Sequence, residues 1–144
     1  MSPHLKTVEA IYAAFGRGEI ETIIGHLSPD VAWEAWADNS AQRAAVPWMK
    51  LRHGHVGARD FFAALGVLQI HSFEVLSMMG NERQVAVEFT VDATVTASDE
   101  RFRDEEMHLW SFDVNGRVCR FRHYLDTAKH VALARALARP LTAS

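Results

Sequence analysis

The sequence predicts an α+β domain whose helices pack into the concavity of a bent antiparallel β-sheet. Two observations predict it. Apolar residues recur at helical spacing before residue 66 and after residue 126, whereas alternation by two governs the stretch between them. The alternating segments are 67–79, 83–97, 101–113 and 117–125, and the first three are about twice the length of an ordinary strand. Strands that long twist and curl, which leaves a concave face for helices to cover.

The elements follow in chain order. Ser2 and Pro3 supply an N-cap and a first helical residue, and Leu5, Val8, Ile11, Tyr12 and Phe15 line one face of a helix ending at Gly16-Arg17-Gly18. Glu19 and Glu21 favour a helix N-terminus, followed by the stripe Ile20, Ile23, Ile24 and Leu27. Ser28-Pro29-Asp30 is expected to stop that helix and residues 31–36 to form a strand. Residues 37–56 show little periodicity beyond a helical turn at 41–45, and connections of that length are usually functional or mobile. A third helix is expected over 57–65 through Phe61, Phe62 and Leu65, with Gly66 as its left-handed C-terminal residue.

In the strand region Val85, Val87, Phe89, Val91, Ala93 and Val95 alternate with Gln84, Glu88, Thr90, Asp92 and Thr94, giving a sheet with one apolar face. Gly80-Asn81, Ser98-Asp99-Glu100 and Asn115-Gly116 mark the turns. Asp126 or Thr127 caps a final helix that carries Val131, Leu133, Ala134 and Leu137.

Composition narrows the function classes. At 144 residues the chain has the size of one domain, taken as 1–144, and is too short for a two-domain cofactor enzyme. Its 49% apolar and 23% charged residues are those of a folded globular chain. The net charge of -3 lacks the excess of Lys and Arg that nucleic-acid binding requires. No apolar run approaches the ~20 residues of a membrane span, and no signal peptide is visible. The lone Cys119 allows no internal disulfide, so a cytoplasmic setting is expected. His53 and His55 lack a third ligand at useful spacing, so no metal site is expected. No phosphate-binding glycine loop, nucleophile elbow or Cys/His nucleophile arrangement occurs, which leaves covalent catalysis without a candidate.

The last hairpin carries the chemistry. A two-residue type I′ turn at Asn115-Gly116 would pair Val114 with Arg117, and therefore His108 with His123. On that face Trp110 meets Phe121, Phe112 meets Cys119 and Glu106 meets Leu125, with Glu106 diagonal to His123. The opposite face pairs Met107 with Tyr124, Leu109 with Arg122 and Ser111 with Arg120. Two imidazoles amid aromatic walls, with Glu106 or Asp104 beside them, suit proton transfer near neutral pH. The plain alternative is two histidines hydrogen-bonded in a core or lying at a solvated edge. A one-residue bulge would dissolve the pairing.

The helix-helix-strand opening, the segment from Val56-Gly57-Ala58-Arg59-Asp60-Phe61-Phe62 and the hairpin from Phe102 to Asp126 resemble the nuclear transport factor 2-like superfamily, in its SnoaL-like, ketosteroid isomerase-related branch. The resemblance implies a cone-shaped curved sheet, three helices from the N-terminal half over its concave face and a C-terminal helix. It also implies a cavity between the layers and a homodimer through the outer sheet face. His123 falls where relatives carry a catalytic aspartate, within a pattern that reads Arg122-His123-Tyr124 here. His108 falls where isomerases carry an oxyanion-stabilising acid and cyclases a histidine, and Glu106 and Phe121 match further cavity positions. The isomerase base of the first strand has no clear counterpart, Ala35 or Glu34 being nearest, and Tyr12 matches a helix-one tyrosine only roughly. The Arg/Asp pair of epoxide hydrolases is not recognisable in 88–92.

The expected function is therefore the binding of a small, largely hydrophobic molecule, with His123, His108 and Glu106 as acid–base residues and Trp33, Trp110, Phe121, Tyr12 and Phe15 as the ligand wall. Isomerisation, cyclisation or dehydration without a cofactor is the chemistry expected of an enzyme. The alternatives are a binding protein without catalysis or an interaction module that uses Met107, Leu109, Tyr124, Arg120 and Arg122.

Overall fold

The computed structural model describes residues 2–138. Helix α1 (Pro3–Gly16) starts as expected, with the Ser2 hydroxyl accepting from the Leu5 N–H. Then come α2 (Ile20–Ile24), β1 (Leu27–Trp33), a short α3 (Ser40–Arg43), a 3-10 turn (Pro47–Met49), β2 (Arg52–His53) and α4 (Gly54–Ala64). Four long elements follow: β3 (Leu68–Gly80), β4 (Gln84–Val95), β5 (Glu100–Phe112) and β6 (Val118–Tyr124). Helix α5 (Thr127–Ala138) closes the described chain, and Asp126 Oδ1 caps it by accepting from the Lys129 N–H. No helix among the described residues is long and apolar enough to cross a membrane.

The strands form one curved, open sheet in the order β2-β1-β6-β5-β4-β3. Its neighbours are antiparallel except β1 and β6, which run parallel, so the sheet is mixed rather than purely antiparallel. Residues of α1, α2 and α4 share one cavity lining with residues of β1, β3, β4, β5 and β6, which places these helices over the concave face. The alternation read in β4 is the burial pattern found: Val85, Val87, Phe89, Val91, Ala93 and Val95 are all buried.

Two local readings change. Ser28-Pro29-Asp30 lies inside β1, not at a break, because the β1–β6 register shifts between Leu27 and Ala32 and the ladder there has no use for the N–H that proline lacks. Gly66 is not left-handed: α4 tightens into a 3-10 turn at Leu65–Val67 that leads directly into β3. Arg101 of β5 forms an ion pair with Asp92 of β4 across the strands.

The β5–β6 hairpin keeps the expected pairing by a different route. His108 pairs with His123, Trp110 with Phe121 and Met107 with Tyr124. The turn is not type I′, because only Gly116 has positive φ (77°) and Asn115 does not. Asp113 N–H donates to the Arg117 carbonyl, which leaves a three-residue loop, and the Asp113 carboxylate accepts from the Asn115 and Arg117 N–H groups. A bulge then restores the register. Phe112 pairs with Val118 and Ser111 with Arg120, so Cys119 is an extra residue and does not face Phe112. Glu106 and Leu125 are likewise not paired, since the ladder ends at Met107 and Tyr124.

A Cβ added at Gly116 meets nothing within 4 Å, so the cost of a side chain there is purely that of the left-handed backbone. Gly116→Ala is expected to lower the free energy of urea unfolding by about 1–2 kcal/mol with an unchanged slope. Unchanged stability would show that the loop relaxes to another turn.

Candidate functional site

The inner face of β5 carries Phe102, Asp104, Glu106, His108, Trp110 and Phe112, all buried. Ionisable groups thus occupy the middle of an otherwise aromatic row, and each finds its partner on a different element. His108 Nδ1 lies 2.5 Å from the Tyr12 hydroxyl of α1. Trp110 Nε1 donates to the same hydroxyl at 3.1 Å. The indole N–H donates to the phenol oxygen, and among the described residues His108 Nδ1 is the acceptor within reach of the phenol's own single proton, so the Tyr12 O–H donates to His108 Nδ1. The neutral His108 ring therefore carries its proton on Nε2, which is buried and has no partner among the described residues. Burial, and secondly the nearby His123, hold the His108 pKa well below its ordinary value. Burial also pushes the Tyr12 phenol far above its usual range, against a smaller opposing effect of the Trp110 N–H, so Tyr12 remains a donor.

His123 is arranged the opposite way. Its Nδ1 lies 2.6 Å from Glu34 Oε2, and its backbone N–H also donates to that carboxylate. Trp36 Nε1 donates to Glu34 Oε1 at 3.1 Å. Glu34 at Nδ1 sets the tautomer: a neutral His123 ring carries its proton on Nδ1 and its lone pair on Nε2. The two rings are T-shaped, with centroids 4.4 Å apart.

A third set lies beside them. Trp48 Nε1 donates to His130 Nδ1 at 2.9 Å, so His130 Nε2 bears the proton and faces Asp104 Oδ2 at 2.7 Å and Glu106 Oε2 at 3.1 Å. Burial opposes charge on His130, yet Glu106 and Asp104 outweigh it and raise its pKa. Burial likewise disfavours the Asp104 carboxylate, but bonds from His130 and Glu106 and the Lys129 ammonium leave its pKa lowered.

Donor atoms of Glu106, His108 and His123 lie within 4.8 Å of one another, as do those of Asp104, Glu106 and His130. Metal binding requires imidazole lone pairs. In the second set the Trp48 bond behind the ring leaves the proton on His130 Nε2, which faces both carboxylates, so that geometry suits proton holding better than ion ligation.

These groups border a cavity of ≈ 90 Å³.

The sequence profile of the SnoaL-like domain matches residues 8–121. The chain belongs to the SnoaL-like family. Among curated proteins, none matches it by sequence. Solved structures give the fold. An NTF2-like protein of unknown function from Burkholderia pseudomallei is 24% identical with a TM-score of 0.76, covering 93% of this chain and 98% of that one. TerC, crystallised with polyporic acid, is 21% identical with a TM-score of 0.73 over 93% and 99% of the two chains. A protein described as a candidate polyketide cyclase, from Xanthomonas campestris, is 17% identical with a TM-score of 0.67 over 91% and 96%.

In this SnoaL-like domain all eight residues singled out from the sequence, Tyr12, Phe15, Trp33, Glu106, His108, Trp110, Phe121 and His123, line the one cavity. Glu106 bonds to His130 rather than to His123. On the outer sheet face Met107, Leu109 and Arg120 are half-buried and Tyr124 is exposed. Arg122 is committed within the chain, bonded to the Ala35 carbonyl and lying 4.3 Å from the Trp36 ring. His55 bonds to the Leu27 carbonyl and His53 is exposed, so the two do not converge.

Sequence reasoning missed the roles of Glu34 and His130. Glu34 has φ 56°, which ends the alternation of β1, so that Trp33 and Glu34 are consecutive and both buried. Nothing in the residue pattern announces that turn. His130 had a readable signal, since it shares a helical face with Leu133, Ala134 and Leu137.

The neutral His108 has a consequence for acid stability. Below its ordinary pKa of 6.5 the unfolded chain binds a proton there that the folded chain does not, so this stability is complete above pH 6.5 and falls as the pH drops. His108→Gln removes the contribution. Between about pH 6.5 and 5 its unfolding free energy should fall less steeply than that of the wild type, by up to ~1.4 kcal/mol per pH unit. Parallel slopes would mean that His108 takes up a proton within the fold.

Proposed function

We propose that this SnoaL-like domain is a cofactor-independent acid–base enzyme that isomerises, cyclises or dehydrates a small, largely hydrophobic carbon acid. One arrangement carries the reading: a phenol stands behind one of two facing imidazoles and a carboxylate behind the other, which assigns them opposite tautomers and directs a lone pair of His123 and an N–H of His108 to one aromatic cavity. His123 Nε2 takes a proton from carbon next to a carbonyl. His108 Nε2–H hydrogen-bonds the oxygen on which negative charge develops, a role that requires a neutral ring. Glu34 balances the charge that His123 acquires. Returning the proton to a different carbon gives isomerisation; attack of the carbanion on a second carbonyl, whose oxygen takes the proton from His123, gives cyclisation; and loss of a β-hydroxyl that takes the same proton and leaves as water gives dehydration.

Glu106, within 4.8 Å of both rings at its donor oxygen, is the next acceptor for the transferred proton. The ring stack of Trp33, Phe121 and Trp110, with centroids 4.3 and 4.5 Å apart, supplies the wall for a flat apolar molecule. Capture of such a molecule without turnover is the alternative. We also place the chain in the cytoplasm and assign it a homodimer through the outer face around Met107, Leu109 and Tyr124.

A base in an apolar cavity can be read with 5-nitrobenzisoxazole, whose C–H loss is coupled to N–O cleavage and releases a coloured phenolate. His123→Gln keeps most of the side-chain volume but lacks the base. It should lose about 10²–10⁴-fold in kcat/KM on this probe. Equal turnover by the variant would overturn the assignment of His123, and binding without turnover by the wild type would favour capture alone.

A further inference from the structure

We infer that the Trp48–His130 hydrogen bond is a proton-operated latch that ties the turn Pro47–Met49 to α5 beside the cavity and releases when His130 takes a second proton. Both residues line the cavity, yet neither is needed by the chemistry proposed above, and the inference stands whether the cavity catalyses or only binds.

The argument rests on what each neighbour can do with a proton. Trp48 Nε1 is a donor only, and it donates to His130 Nδ1 at 2.9 Å with both side chains buried. A doubly protonated ring turns Nδ1 into a donor as well. Two N–H groups then oppose each other with no acceptor between them, and the contact must open. On the other side of the ring two carboxylates of β5 favour that second proton, Asp104 at 2.7 Å and Glu106 at 3.1 Å. The remaining charged neighbours act through Asp104: the Lys129 ammonium of α5, at 3.4 Å, partly neutralises it, and the Asp126 backbone N–H donates to it at 3.4 Å. Glu106 in turn lies next to His108 and His123, so a change of charge at His130 is felt at the two facing imidazoles. From the 37–53 segment the group that meets the ring is Trp48, which stands edge-on to it. Phe102 closes another side in the same edge-on manner.

The ring thus has two internally consistent states. Neutral, it accepts from Trp48 and donates to the carboxylates. Charged, it is held by the carboxylates alone, and the indole swings free of α5. Acidification therefore frees the Pro47–Met49 turn from α5 beside the cavity.

Indole and imidazole NMR on the full chain tests this, with Trp48 assigned through Trp48→Phe. In the wild type the Trp48 Nε1–H resonance should leave its hydrogen-bonded position with the same midpoint as the His130 ring resonances. Exchange of that proton with solvent should quicken as the pH falls through the midpoint, opposite to the ordinary slowing of base-catalysed exchange. In His130→Gln, whose amide oxygen still accepts from Trp48 but does not titrate, the resonance should stay fixed. A Trp48 resonance that ignores the His130 titration in the wild type overturns the latch, as does one that moves equally in the glutamine variant. The wild-type comparison does not depend on the glutamine variant folding.

Discussion

Burying a row of ionisable groups on one face of a strand is the constraint from which this structure follows. Asp104, Glu106 and His108 stand between Phe102 and Trp110 on β5, and each must be given partners in a setting where an unsatisfied polar group costs about 1–3 kcal/mol. The partners come from elsewhere: Tyr12 on α1, His130 and Lys129 on α5, and the indole of Trp48 in the turn before β2. Apolar packing alone would tolerate small slips of a helix over the sheet. Donor–acceptor matching does not, so α1 and α5 are docked at one place, and the gain is uniqueness of arrangement more than net stability.

The same residue type is made to do two things by what stands behind it. A phenol that is itself hydrogen-bonded sits behind His108, and a carboxylate sits behind His123. Swapping the background would swap the tautomers. Phe89 and Phe121, with ring centroids 4.2 and 4.9 Å from the His108 ring, keep water away, so the difference between the two nitrogens is not averaged by solvent.

Much of this was legible in the sequence. Alternation in β4 gives the buried face, and counting by two along β5 places Glu106, His108 and Trp110 together without any coordinates. What escaped did so where the period breaks. Glu34 enters the site through a left-handed backbone, and Pro29 sits in an irregular stretch of β1. His130 was hidden differently, since a lone histidine on an apolar helical face says nothing of its partners until the helix has a place to dock. The facing histidines were read from a turn type that the hairpin does not use.

That last discrepancy bears on how such a hairpin tolerates a change of turn type. The loop holds one residue more than a two-residue turn, and the bulge at Cys119 takes up one residue on the same strand, so the offsets cancel before the chain reaches the site. At unchanged chain length the hairpin can instead close a two-residue turn at Asn115-Gly116, pair Phe112 with Cys119, give up the bulge and still present the same side chains to the cavity. The hairpin tip is thus free to change its turn type, with the adjustment absorbed at Cys119 and the His108–His123 pair left in place.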